Sequence, residues 1–202
     1  MAQLTQEFFK KILQMEGGFQ NMPDDNGNYA CGQLIGTNMG VSAVALREWW
    51  GRCPSVEDMR NLSQKQAFDF YAWYFDRANL YPIENQELFE FLGNNTMGSP
   101  TAAARTEQKV LNRLGYNVAI DGQRGPATVK ALNAAWTRDP NRLWNEIRAE
   151  WIRYLQSINK PQFLPGWMSR LNRHYPEKGT ATDNIIWLAP LAVLALLLIT
   201  RK

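Results

Sequence analysis

Glu16 is the residue whose setting best suits chemistry. It closes a stretch in which Leu4, Phe8, Ile12 and Met15 recur at helical spacing, and Gly17 and Gly18 follow at once. A carboxylic acid donates a proton near neutral pH only where its surroundings disfavour the charged form. Met15, Phe19 and a helix C-terminus are surroundings of that kind. The two glycines let a substrate or a neighbouring backbone approach closely. Spacing alone does not separate this acid from a solvated glutamate at a helix end, which is the commoner case. Asp24 and Asp25 follow eight and nine residues later. Cleavage of a glycosidic bond commonly needs a second carboxylate facing the acid, as nucleophile or as base for water. Pro23-Asp24-Asp25-Asn26-Gly27 is also an ordinary turn sequence, so both roles stay open, with Asp25 ahead of Asp24.

The elements that must hold these groups are mostly helices. Thr5 is the N-cap of the first, which Gly17-Gly18 ends. Residues 17 to 40 form a long irregular stretch with room for a short hairpin, ordered by Tyr29, Cys31, Leu34 and Ile35. Ser42 caps a helix through Trp49 and Trp50. Ser55-x-x-Asp58 and Ser63-x-x-Gln66 are two capping boxes, and the second opens a long aromatic helix. Further helices are expected over 86–93, from Ser99-Pro100 to Gly115, from Gly125-Pro126, from Asp139-Pro140 to about Asn159, and after Gly166.

The composition limits the function classes. The 202 residues carry a net charge of +3 with no long basic run, which argues against a nucleic-acid partner. The single His174 excludes a His-rich metal site, and no GxSxG precedes it, so no metal, cofactor or serine triad is expected. Cys31 and Cys53 are free to pair outside the cytoplasm but too few for a disulfide framework. The N-terminus lacks the pattern of a signal peptide.

Three separated motifs resemble the glycoside hydrolase family 108 muramidases. They are Glu16-Gly17-Gly18-Phe19, then Asn21-x-Pro23-Asp24-Asp25, then Gly36-Thr37-Asn38-Met39-Gly40-Val41-Ser42. Phe19 and Met39 stand where the family favours Tyr, and Asn28 to Ile35 form a longer insert. Leu111-Asn112-x-Leu114-Gly115, Asp121-Gly122-x-x-Gly125-Pro126-x-Thr128 and Ala131-Leu132-Asn133 resemble the peptidoglycan-binding half of the same family. Arg148, Trp151, Tyr154, Gly166-Trp167 and Arg170 match its closing helices and are expected to be core and scaffold. The resemblance covers about residues 4 to 173. It implies a helical, lysozyme-like fold and hydrolysis of the β-1,4 bond between N-acetylmuramic acid and N-acetylglucosamine in peptidoglycan, with Glu16 as the acid. Asp25 or Asp24 would assist it, and Thr37 would orient water. Phe19, Asn38, Asn94, Asn95 and Asp121 would meet the glycan, although Asp121 is as easily a structural loop residue.

The expected architecture is an all-α, lysozyme-like domain with a short irregular or hairpin segment after the catalytic helix. Residues 1–98 form the catalytic half, 99–176 the peptidoglycan-binding half and 177–184 a polar spacer. Residues 185–200 are expected to be a single transmembrane helix, because Ile185 to Ile199 carry no polar residue and are flanked by Trp187, Arg201 and Lys202. A membrane-anchored enzyme acting on the cell wall follows from that expectation, with lipid as a partner. A bacteriophage lytic or virion-associated role, with virion proteins as partners, follows from family habit. A lytic transglycosylase and a non-catalytic wall-binding virion protein are the alternatives. An intact Glu16 argues against the second.

Overall fold

The computed structural model describes residues 2–179. Most helices start where the sequence supplies a capping side chain. Helix α1 (Gln6–Glu16) opens with the Thr5 side chain accepting from the Phe8 amide, and it stops at Gly17, whose φ is +69°. A 3-10 turn, Asn26–Asn28, leads into two antiparallel hairpins. The first pairs β1 (Tyr29–Ala30) with β2 (Gln33–Leu34), and the second pairs β3 (Thr37–Asn38) with β4 (Val41–Ser42). In the second, Thr37 stands opposite Ser42 and Asn38 opposite Val41. Ser42 caps α2 (Ala43–Trp50). Both capping boxes form, at the starts of α3 (Val56–Arg60) and α4 (Gln64–Arg77). Helix α5 (Gln86–Gly98) starts at Asn85. Proline opens α6 (Pro100–Arg113), α7 (Pro126–Arg138) and α8 (Pro140–Ser157), where its missing N–H costs nothing. Helix α9 (Leu164–His174) closes the described chain.

Aromatic side chains weld α1 to α4 and α5. Phe8 stacks on Phe75 and meets the edge of Phe89, while Phe9 meets Phe68 and Tyr71 edge-on. Helix α6 then packs against α5 and α8, α7 against both α6 and α8, and α9 against α8. Cys31 and Cys53 are joined in a disulfide, which ties the first hairpin to the segment between α2 and α3.

Three expectations change. Helix α5 runs five residues beyond 93, to Gly98, because Asn94, Asn95 and Thr96 are buried and the Thr96 hydroxyl bonds back to the Leu92 carbonyl at 2.7 Å. Tertiary burial here outweighs the weak helix preference of Asn. The polar spacer begins as docked chain: Glu177 pairs with Arg148, and the Lys178 amide donates to Asn145. The transmembrane helix does not belong to the fold class. Among the described residues no helix is long and apolar enough to cross a membrane. The longest, α8, carries Arg142, Glu146, Arg148, Glu150 and Arg153, charges a bilayer interior would not accept. Residues 185–200 lie outside the described residues, and the single-pass anchor with the localisation built on it is withdrawn.

The tie between the two halves is a buried ion pair. Arg124, in the loop before α7, donates Nε and Nη2 to the two carboxylate oxygens of Glu107 on α6, at 2.7 and 2.6 Å. The same guanidinium reaches Thr96 on α5 and the Ala78 carbonyl at the end of α4. Both side chains are 1% exposed, so removing one partner strands a charge in the core. Arg124→Met is expected to cost about 3–5 kcal/mol in urea unfolding, and the Arg124→Met/Glu107→Leu double variant is expected to recover most of that. A single variant as stable as the parent would show the pair to be dispensable.

Candidate active site

Glu16 is the last residue of α1, and three distant parts of the chain close on it. The first is the tip of the second hairpin. Gly40 has φ +77°, and a Cβ there would lie 2.6 Å from Glu16 Cγ and collide with the Tyr71 hydroxyl. Only glycine supplies both the left-handed backbone and the space. The second is Tyr71 on α4, fully buried, whose hydroxyl donates to the Met39 carbonyl at 3.0 Å. Burial first, then the charge of Glu16, push its phenol well above the usual range, so it stays a neutral donor. The third is Arg170 on α9. Its Nη1 meets Glu16 Oε1 at 2.6 Å, and its Nη2 donates to the Met15 carbonyl at 3.3 Å. One guanidinium therefore holds the carboxylate and also satisfies a terminal carbonyl of α1. The setting is less apolar than the sequence suggests, because Arg170 brings a full positive charge. Glu16 keeps 19% of its side chain exposed, and its Oε2 has no protein partner among the described residues.

The loop after α1 is built around Asn28, which is fully buried. Its side chain exchanges hydrogen bonds with the Gln20 amide and donates to the Met22 carbonyl. The Thr37 hydroxyl donates to Asn28 Oδ1 at 2.7 Å, which spends its proton and leaves only its lone pairs for water. Asp25 Oδ1 accepts from the Gly27 amide and so caps the 3-10 turn, whereas Asp24 is exposed and carries no such duty. Asn38 is buried and donates to the Met59 and Arg60 carbonyls, which anchors the second hairpin to α3. Phe19 lies under the Arg60 guanidinium, 4.9 Å from ring centre to cation.

Of the other expected glycan contacts, Asp121 lies in the second half, and Asn94 and Asn95 lie on α5. Asp121 Oδ1 accepts from Gln108 and from the Gln123 amide, and those bonds, the backbone one first, hold its carboxyl below the usual range. That places it as a loop residue of the second half. Asn95 is 1% exposed and accepts from Asn94. Asn94 also lines a hollow beside Arg170. A larger hollow, about 860 Å³, runs past Ser42, Glu48, Tyr74, Arg77 and Gly98. Gly98 borders both hollows. Sequence reasoning assigned Arg170 to scaffold and gave Tyr71 and Asn28 no role. No local pattern marks Arg170, which stands 154 residues from Glu16.

Residues 9–92 match the family model described as Glycosyl hydrolase 108. Residues 102–172 match a second, described as "Predicted Peptidoglycan domain". Among solved structures the chain is similar to SagA of Brucella abortus, with a TM-score of 0.67 and 25% identity over 84% of this chain and 92% of that one. No curated protein matches it.

The contact between Gly40 and Glu16 is open to test. Gly40→Ala must place Ala in the left-handed region, at roughly 1–2 kcal/mol, and must push Glu16 or Tyr71 aside. We expect a lower melting temperature with unchanged far-ultraviolet dichroism, and a loss of most wall-lytic activity. Parent-level activity in Gly40→Ala would mean that this close approach does not position the acid.

Proposed function

We propose that this chain, which belongs to the glycosyl hydrolase 108 family over residues 9–92 and carries a peptidoglycan domain over residues 102–172, is a muramidase with Glu16 as its general acid. That it is a glycoside hydrolase acting on peptidoglycan follows from those two matches. The finer reading is hydrolysis of the β-1,4 bond between N-acetylmuramic acid and N-acetylglucosamine. The observation that carries it is the convergence of the second hairpin, α4 and α9 on one carboxylate at the end of α1.

Chemically, Glu16 gives a proton to the departing glycosidic oxygen while the sugar ring gains oxocarbenium character. Arg170 sets the rotamer of the carboxylate and leaves Oε2 for the substrate. Water completes the reaction. Of the two aspartates, Asp24 has the carboxylate with no structural duty, and this makes it the better candidate to activate that water. Asp25 holds the turn that presents it. Thr37, with its proton committed to Asn28, accepts a hydrogen bond from the water and thereby orients it.

Glu16→Gln keeps the size of the side chain and removes the proton donor. Clearing of purified peptidoglycan is expected to fall at least about a hundredfold, the usual scale for general acid catalysis. An unimpaired Glu16→Gln enzyme refutes the mechanism. Mass spectrometry of the products should show reducing N-acetylmuramic acid ends; 1,6-anhydro ends would reassign the chemistry to transglycosylation.

The aspartates separate by the kind of damage. Asp24→Asn should lower kcat with no change in melting temperature. Asp25→Ala should lower stability by about 1 kcal/mol, the cost of a lost cap. Reversal of that pattern would return the catalytic role to Asp25.

A further inference from the structure

The charges around the C-terminal end of α1 do not balance. A hollow of about 420 Å³ lies there against α9, with Met15, Phe163, Trp167, Arg170, Arg173 and His174 among its walls. No aspartate or glutamate lines it. Burial first, then the charges of Arg173, Arg170 and Lys11, hold the His174 imidazole below its usual range, so three cations act on this region together. Two of them are offset: Arg170 by Glu16, and Lys11 by Glu7 and Glu90. Arg173 is not. It is exposed, and its guanidinium makes no ion pair or hydrogen bond among the described residues. A hollow lined by one sign of charge concentrates ions of the other sign. The same hollow has an apolar wall, where the rings of Phe163 and Trp167 stack at 6.0 Å and Phe163 stays 37% exposed.

The occupant must therefore be an anion that also carries small apolar groups. It must belong to the substrate at Glu16, because Met15 and Arg170 wall the hollow and Arg170 is bonded to that acid. The hollow has the size of a small-molecule site, roughly 300–1,000 Å³, which suits a few residues of peptide. Peptidoglycan offers such a group next to the bond to be cleaved. Its muramic acid bears a short peptide on the lactyl oxygen, and that peptide combines free carboxylates with alanine methyls. We propose that this hollow binds the peptide stem of the muramic acid, with Arg173 pairing a stem carboxylate, and so makes the enzyme selective for stem-bearing over bare glycan. The guanidinium donates charge-assisted hydrogen bonds to the carboxylate, and the methyls lie against Phe163 and Trp167. This inference rests on the reading of Glu16 as the centre of a peptidoglycan hydrolase.

The test titrates the full chain calorimetrically with three ligands. They are the disaccharide of N-acetylglucosamine and N-acetylmuramic acid, the same disaccharide bearing a tetrapeptide stem, and that stem with its carboxylates converted to amides. The parent should bind the acidic stem compound about tenfold or more tightly than the bare disaccharide, the effect of one hydrogen bond to a charged group. The amidated compound should bind like the bare one. Arg173→Gln, at an exposed position that folding does not depend on, should bind all three alike by weakening the acidic compound alone. Arg173→Lys, which keeps the charge and loses the fork, should retain part of the preference. Equal binding of the acidic and bare compounds by the parent, no binding of either, undiminished binding of the amidated stem, or a full preference in Arg173→Gln overturns the proposal. The catalytic reading is scored separately. If Glu16→Gln still clears peptidoglycan while the stem preference holds, the mechanism fails and the hollow stands. If Glu16→Gln is inactive and the three ligands bind alike, the hollow fails and the mechanism stands.

Discussion

A bidentate ion pair, sealed from water, fixes how the two halves of the molecule meet. Arg124 and Glu107 are costly to bury, and the cost is offset only because nearly every donor of the guanidinium finds an acceptor. Those acceptors belong to different elements: α6 through Glu107, α5 through Thr96, and the end of α4 through Ala78. In return Asn79 donates to the Arg124 carbonyl. Such a cluster can form in one arrangement only, since any slip of α5 against α6 would leave a charge unpaired. Gln108, next to Glu107, then fastens the Asp121-Gly122 turn by donating to Asp121 and accepting from the Gly122 amide. The second half is thereby placed so that α8 and α9 return to the end of α1.

That return gives Glu16 its partner. Helix α9 follows α8, which is pinned by Arg148 to the Tyr175 carbonyl and by Trp144 to the Pro176 carbonyl. With α8 and the chain after α9 locked together, Arg170 has little freedom in where it points. Glu16 lies in the stretch that matches the hydrolase family, and the Arg170 that holds it lies in the stretch that matches a peptidoglycan domain. The Glu16–Arg170 pair joins the two stretches, so neither packs as a simple appendage of the other.

The loop after α1 shows a different kind of order. Its strands are two residues long and could not hold a register unaided. Buried Asn28 replaces a sheet as the organiser, with bonds to Gln20, Met22 and Thr37, and the Cys31–Cys53 disulfide clamps the far edge. A disulfide of this kind persists in an oxidising environment, which accords with work on the cell wall. That stiffness holds Gly40 where any Cβ would strike Glu16.

Local sequence was enough for what depends on local physics. Thr5, Ser42, Ser55, Ser63, Ser99 and Asp139 announced helix starts because a cap is decided within three residues. Glu16 was visible because helix, glycines and the motif around it are contiguous. Asp24 and Asp25 could not be told apart, since adjacent carboxylates differ only in which amide each one finds after folding. The end of α5 was misplaced because the buried faces of Asn94, Asn95 and Thr96 come from distant elements. Arg170 looked like scaffold, and Asn94 was singled out as a glycan contact without any sign that its Oδ1 would be buried and unpartnered. An ion pair 154 residues apart and an orphaned amide oxygen have no signature along the chain. They exist only once burial has removed water and left each polar atom with whatever partner the packing provides.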